Sequence, residues 1–136
     1  MPGFIETQDW PVARLVMPEQ VADADAQDRL AQLKALYDRA EPFVLIMEGV
    51  ELPRHSPGFM KAYAEWSMAT LDLQRRWCLG AVRIEPDALL RQAYGERAAQ
   101  AAKAGIQPYP YEIVDSESAA RAQAARWLAA AGPAQD

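Results

Sequence analysis

The stretch Phe43-Val44-Leu45-Ile46-Met47, which lies between Pro42 and Val50, decides the fold. All five residues are apolar, and there is no alternation between apolar and polar positions. A strand that is apolar on both sides is typical of the centre of a parallel sheet that helices cover on both faces. We therefore predict a fully buried central β-strand over residues 42–50.

Strand-like and helix-like patterns alternate on both sides of this stretch. Further strands are predicted over residues 10–17, 77–84 and 109–114, and an extra N-terminal strand over residues 4–7 is left open. Helices are predicted over residues 25–40, 56–76 and 86–105, and a last helix begins at Asp115 or Ser116 and ends before Gly132. This alternation predicts an α/β fold, with about four helices on a mostly parallel sheet of roughly four or five strands.

Length and composition indicate one domain that needs neither a metal nor a disulfide. The chain has 136 residues, of which 51% are apolar and 24% are charged. A chain of this size buries about two thirds of its surface on folding. We therefore predict a single domain over residues 1–136, with a disordered tail at about residues 132–136. The only cysteine, Cys78, excludes an internal disulfide.

The sequence carries no pattern for export or for a membrane. The first seven residues contain neither a basic segment nor a long apolar segment, both of which a secretory leader has. The longest strongly apolar run, Phe43 to Met47, is far shorter than a bilayer span. We expect a cytoplasmic protein that makes no membrane contact.

The formal net charge is −5, and the basic residues are scattered apart from the pair Arg75-Arg76. Nucleic-acid binding needs a basic stripe or patch, so we expect no nucleic-acid partner. A negative surface favours a basic protein partner, but it also serves simply to keep a domain soluble. Both interpretations stay open.

The layout resembles the STAS domain, the fold of bacterial anti-sigma-factor antagonists, over residues 14–128. The features that match are a first strand and helix, a central strand ending in Gly-Val-x-Leu, a helix opening with Ser-Pro-Gly, a glycine-terminated helix and a final Ser/Glu-rich cap. In the same order, these features lie at residues 13–17 and from Asp25 onward, at Gly49-Val50-Glu51-Leu52, at Ser56-Pro57-Gly58, at Gly105 and at Asp115-Ser116-Glu117-Ser118. The chain is similar, more narrowly, to uncharacterised bacterial STAS-like proteins that begin with a Trp-Pro strand.

This resemblance implies a regulatory, protein-binding role rather than an enzymatic one. Regulatory STAS domains carry a phosphorylatable serine, preceded by aspartate, at the start of the helix after the central strand. Ser56 is the only candidate for that role here. It follows His55 instead of an aspartate and precedes Pro57, so an ordinary N-cap serine is the competing interpretation.

The second predicted helix is apolar around more of its circumference than a sheet can cover. Two stripes of residues run along it at helical spacing. One stripe consists of Phe59, Tyr63, Trp66, Thr70 and Leu73, and the other of Met60, Ala64, Met68 and Leu71. Either neighbouring helices cover the second stripe, or it forms a docking surface, where methionine is enriched.

The docking interpretation predicts a non-catalytic module that regulates or neutralises another bacterial protein, as immunity proteins and antitoxins do. Its partner is a protein of unknown identity, with a second copy of the chain as one candidate. Met60, Ala64 and Met68 would anchor the partner. Polar contacts would come from Glu65 and, in the loop before the helix, from Arg54 and His55.

The same loop supports an alternative from another functional class. Ligands bind open α/β sheets at the carboxyl ends of the strands, and helix N-termini attract anions. Arg54, His55 and Ser56 would then hold a small anionic ligand such as a phosphate or a carboxylate. There is no glycine-rich loop to suggest a nucleotide.

Catalysis has little support in the sequence. His55 and Cys78 would form a base and nucleophile only if the fold brought them together. An acid pair formed by Glu48 and Glu51 would lack the Asp-rich or His-rich surroundings of a catalytic pocket. Zinc would need carboxylates beside the single histidine and cysteine, which is uncommon. We expect no enzyme activity, no metal site and no cofactor.

Overall fold

The structure is a computed structural model that describes residues 3–131. Five strands form one sheet: β1 (Ile5–Glu6), β2 (Val12–Met17), β3 (Phe43–Gly49), β4 (Cys78–Ile84) and β5 (Tyr111–Val114). The helices are α1 (Ala26–Asp38), α2 (Pro57–Ala69), α3 (Leu71–Trp77), α4 (Ala88–Lys103) and α5 (Glu117–Ala130), and a 3-10 turn at Asp23–Asp25 precedes α1. The tail predicted at residues 132–136 lies outside the described residues.

The sheet has the strand order β1-β2-β3-β4-β5. The strand β1, which the sequence left open, pairs antiparallel with β2, and every other neighbouring pair is parallel. The predicted α/β class with a mostly parallel sheet is confirmed. Because β2 to β5 run in the same direction, the loops that follow them lie along one edge of the sheet, which we call the carboxyl edge.

The strand β3 is buried on both faces, as its unbroken apolar run predicts. Phe43 packs in the larger core, together with residues of α1 and α2. Ile46, on the opposite face, packs in a second cluster with Val82 of β4 and Ala120 of α5. The sheet is therefore covered by α1 and α2 on one side and by α5 on the other.

The second predicted helix is wrong in one respect, because it is broken at Thr70 into α2 and α3. The Thr70 hydroxyl donates to the carbonyl of Trp66 (2.8 Å) and accepts from Gln74 Nε2 (2.9 Å). A side chain that bonds the preceding turn in this way competes with the regular helix. After the break Gln74 is buried, whereas Leu73, assigned to the core stripe, is 36% exposed. The break raises the number of helices from about four to five.

The end of β3 depends on a glycine. Gly49 has a φ of +83°, and a Cβ atom there would lie 2.1 Å from the carbonyl oxygen of Met17 on the neighbouring strand. Only glycine combines the left-handed conformation with so close an approach of two backbones. Gly95 in α4 is the opposite case, because a Cβ atom there would meet nothing within 4 Å.

We predict opposite effects of the same substitution at these two positions. Gly49→Ala should lower the free energy of unfolding by about 2–4 kcal/mol, since it adds both strain and a backbone clash. Gly95→Ala should raise it by about 0.5–1 kcal/mol, because alanine favours the helix. Urea unfolding followed by circular dichroism measures both. Equal stability of the two variants would contradict the described close approach of β2 and β3.

Candidate functional site

A cleft opens at the carboxyl edge between the β3–α2 loop and the first turns of α4. It has a volume of about 390 Å³, within the range of small binding sites. Four apolar and four polar side chains line it in equal numbers. The apolar ones are Val50, Leu52, Leu90 and Tyr94, and the polar ones are Glu19, Glu51, Arg54 and His55.

The β3–α2 loop is anchored at two of its residues and exposed between them. Pro53 is buried, and its carbonyl accepts a hydrogen bond from the Ser56 amide (2.9 Å). The Ser56 hydroxyl is also buried and accepts from the amide of Val21, at 2.7 Å. Arg54 and His55 are consequently held on the outside of an ordered loop.

Two leucines project from the start of α4 on the other side of the cleft. Asp87 caps this helix, because its carboxylate accepts from the amides of Leu89 (2.9 Å) and Leu90 (3.1 Å). Their side chains are 79% and 42% exposed, and Leu52 across the cleft is 40% exposed. Large apolar side chains are thus presented to solvent from both walls of the cleft.

An ion pair joins the two walls. Arg97 of α4 pairs with Glu51 of the β3–α2 loop at 2.8 Å. The Arg97 guanidinium also lies over the ring of Tyr94, 5.2 Å from its centroid. These contacts fix the width of the cleft, so the leucines stand at defined positions.

A buried arginine supports the cleft from beneath. Arg83 of β4 donates to the carbonyl of Gly49 (3.1 Å) and to the hydroxyl of Tyr111 (3.1 Å), and it lies 5.6 Å from the ring centroid of Tyr94. Among residues 3–131, no carboxylate forms an ion pair with it. Since its hydrogen bonds and the ring contact reach β3, β5 and α4, Arg83 ties these elements together.

The predicted docking residues fall into two groups. Met68 is 56% exposed on the outer face of α2, where Ala64 and Glu65 are also exposed and Met60 is half-buried. Arg54 and His55 instead line the cleft. The fold therefore keeps Glu65 beside the apolar anchors on α2 and places Arg54 and His55 on a different part of the surface.

The sequence analysis missed the apolar part of the cleft. No pattern predicts a functional role for Leu52, which lies in a loop, or for Leu89 and Leu90, which follow a helix cap. The one available signal was the pair Leu89-Leu90 in the first turn of the helix that Asp87 caps.

The predicted anion site lies at a helix N-terminus that already faces a carboxylate. A Cβ atom added at Gly58 would lie 2.3 Å from Oδ1 of Asp23, so this carboxylate lies against the first turn of α2. Pro57 has no amide hydrogen to offer. The Ser56 hydroxyl makes no capping bond and is engaged by Val21. Anion binding and modification at Ser56 stay predictions.

The structure does not bring the candidate catalytic groups together. His55 lies at the carboxyl edge, whereas Cys78 starts β4 opposite Phe43, at the other end of the strands. A seven-residue strand of about 3.3 Å per residue separates those ends by roughly 20 Å. Glu48 pairs with Arg14, and Glu51 pairs with Arg97.

Residues 3–131 hold neither a cluster of potential metal ligands nor a helix that could span a membrane. No group of three or more histidine, cysteine, aspartate or glutamate side chains in that part of the chain is arranged to hold a metal ion. No helix there has the length and apolar character needed to cross a bilayer.

Comparison with family models, with curated proteins and with solved structures gave no match.

We predict that Cys78 is inert in the folded protein. The thiol is buried, and this burial raises its pKa to about 12. At about pH 8 the thiolate fraction, and with it the rate of reaction with a disulfide reagent, should be on the order of a thousandfold lower than in the unfolded chain. The rate is measured from the absorbance of the chromophore that the reagent releases, both in the native chain and in denaturant. Similar rates in both states would show that the thiol is accessible.

Proposed function

We propose that the chain is a non-catalytic protein-binding module that acts in the cytoplasm as a regulator or neutralising partner of another bacterial protein. The partner docks on the cleft at the carboxyl edge. The observation that carries this proposal is the exposure of Leu52, Leu89 and Leu90, by 40%, 79% and 42%, at the carboxyl edge. Leu52 and Leu90 line the cleft, and Leu89 is the neighbour of Leu90 in α4. We also propose that the domain is STAS-like, because its motifs at residues 49–52 and 56–58 resemble that family.

The energetics of burial favour a protein as the occupant. Burying a fully exposed leucine side chain contributes about 1.5–3 kcal/mol. Leu52, Leu89 and Leu90 are 40%, 79% and 42% exposed, so covering them contributes roughly 2–5 kcal/mol in total, which can anchor an interface whose other contacts are nearly neutral. Arg54 and His55 lie beside them in the cleft. An apolar centre with polar side chains at its rim is the usual anatomy of a protein–protein interface.

The outer face of α2 is the second candidate surface. Met68 is its one large apolar side chain that is more than half exposed. Its neighbours on the solvent side include Ala64 and the pair Lys61 and Glu65, whose charged groups lie 3.9 Å apart. The carboxyl edge presents three large apolar side chains where α2 presents one, and we therefore place the main docking surface at the carboxyl edge.

We predict that Leu90→Asp abolishes partner binding and that Met68→Asp does not. Both residues are exposed helix positions, so both variants should fold, which circular dichroism and thermal unfolding check. The tagged wild-type chain and each variant are used to capture proteins from the native cell, and the captured proteins are compared by quantitative mass spectrometry. A protein retained by the wild type and by Met68→Asp but lost by Leu90→Asp supports the proposal.

The two variants also separate the two surfaces. Loss of the captured protein with Met68→Asp alone would move the docking site to the outer face of α2. Retention of the same proteins by all three forms would contradict docking at either surface.

A further inference from the structure

The negative charge of the chain is concentrated at the carboxyl edge. Four segments follow the parallel strands there, at residues 18–25, 50–56, 85–87 and 115–116. Together they contain seven carboxylates and one arginine, a formal charge of −6, whereas the whole chain carries −5. The carboxylates are those of Glu19, Asp23, Asp25, Glu51, Glu85, Asp87 and Asp115. All other residues together are therefore slightly positive.

The parallel fold accounts for the position of these acids. The N-termini of α1, α2, α4 and α5 all lie at the carboxyl edge, and carboxylates stabilise helix N-termini through the helix dipole. Asp87 does so directly as the cap of α4. Of the seven carboxylates, only Glu51 forms an ion pair within residues 3–131. Two arginines of α4 also reach this edge, since Arg97 pairs with Glu51 and Arg91 donates to the carbonyls of Glu85 and Pro86. With both counted, the −6 of the four segments becomes −4, and the edge stays negative.

The acids and the exposed leucines occupy the same surface. Glu19 and Glu51 line the cleft together with Leu52 and Leu90. The carboxylate of Asp87 accepts from the amide of Leu89, the most exposed leucine, at 2.9 Å. An occupant of this surface must match both an apolar centre and an acidic surround.

We infer that the occupant is a basic amphipathic segment of a partner protein, with apolar side chains against the leucines and lysine or arginine against the acids. This inference rests on the proposed function and adds the chemistry of the partner. Charge complementarity of this kind steers association and suppresses partners of the wrong sign. Nucleic acids and acidic membranes are repelled by the same surface.

The test uses two synthetic helices as probes in place of the unidentified partner. Both carry leucine at i, i+3, i+4 and i+7, which gives one apolar face, and their remaining positions are lysine in one peptide and glutamate in the other. Fluorescence anisotropy with the full chain measures the Kd of each. We expect the Leu/Lys peptide to bind, the Leu/Glu peptide to bind at least tenfold more weakly, and the affinity for the Leu/Lys peptide to fall as salt screens the charges.

Two charge reversals separate local complementarity from net charge. Glu19→Lys and Glu41→Lys change the net charge equally, but Glu19 lines the cleft and Glu41 lies between α1 and β3, at the opposite edge. Both residues are exposed. We expect Glu19→Lys to raise the Kd for the Leu/Lys peptide about fivefold and Glu41→Lys to leave it nearly unchanged. Leu90→Gln should also raise it, since the apolar contact is lost without a change of charge.

The outcomes distinguish this inference from the proposed function. Equal effects of the two charge reversals, or equal binding of both peptides, would overturn the inference of a basic partner. If Leu90→Asp still abolished capture of a cellular protein, the proposed docking surface would stand even though the inference of a basic partner had failed. If neither Leu90 variant weakened any binding, the docking surface itself would be wrong.

Discussion

The burial of β3 on both faces is the constraint on which the rest of the structure depends. Phe43 and Ile46 point to opposite sides of the sheet and have no exposed surface. Each side must therefore be covered, by α1 and α2 on one face and by α5 on the other. Helices that connect parallel strands start where those strands end. The helix N-termini, the carboxylates beside them and the exposed leucines therefore share one edge.

The carboxyl edge combines a firm support with an unsatisfied surface. Arg83 and the Glu51–Arg97 ion pair join β3, β4, β5 and α4 beneath and beside the cleft. Above them, Leu89 and Leu90 are 79% and 42% exposed. A preorganised surface loses little conformational entropy when a partner docks, so rigid support under exposed leucines suits a binding role.

The sequence predicted the architecture better than the site. An unbroken apolar run, helical spacing and caps are local signals, and they located the buried strand, the parallel sheet and the last helix. The break at Thr70 was missed because the spacing of apolar residues does not reveal the hydrogen bonds of the Thr70 hydroxyl with the Trp66 carbonyl and with Gln74. The apolar part of the cleft was missed because the cleft joins residues 19, 52 and 90, and no pattern along the chain shows that such distant residues meet.

The most direct measurement of the central claim is NMR mapping of amide chemical shifts as the Leu/Lys peptide is titrated into the full chain. Docking at the carboxyl edge predicts that the changes concentrate at residues 50–56 and 85–94. Changes centred on Met68 and the outer face of α2, or spread evenly over the surface, would contradict it.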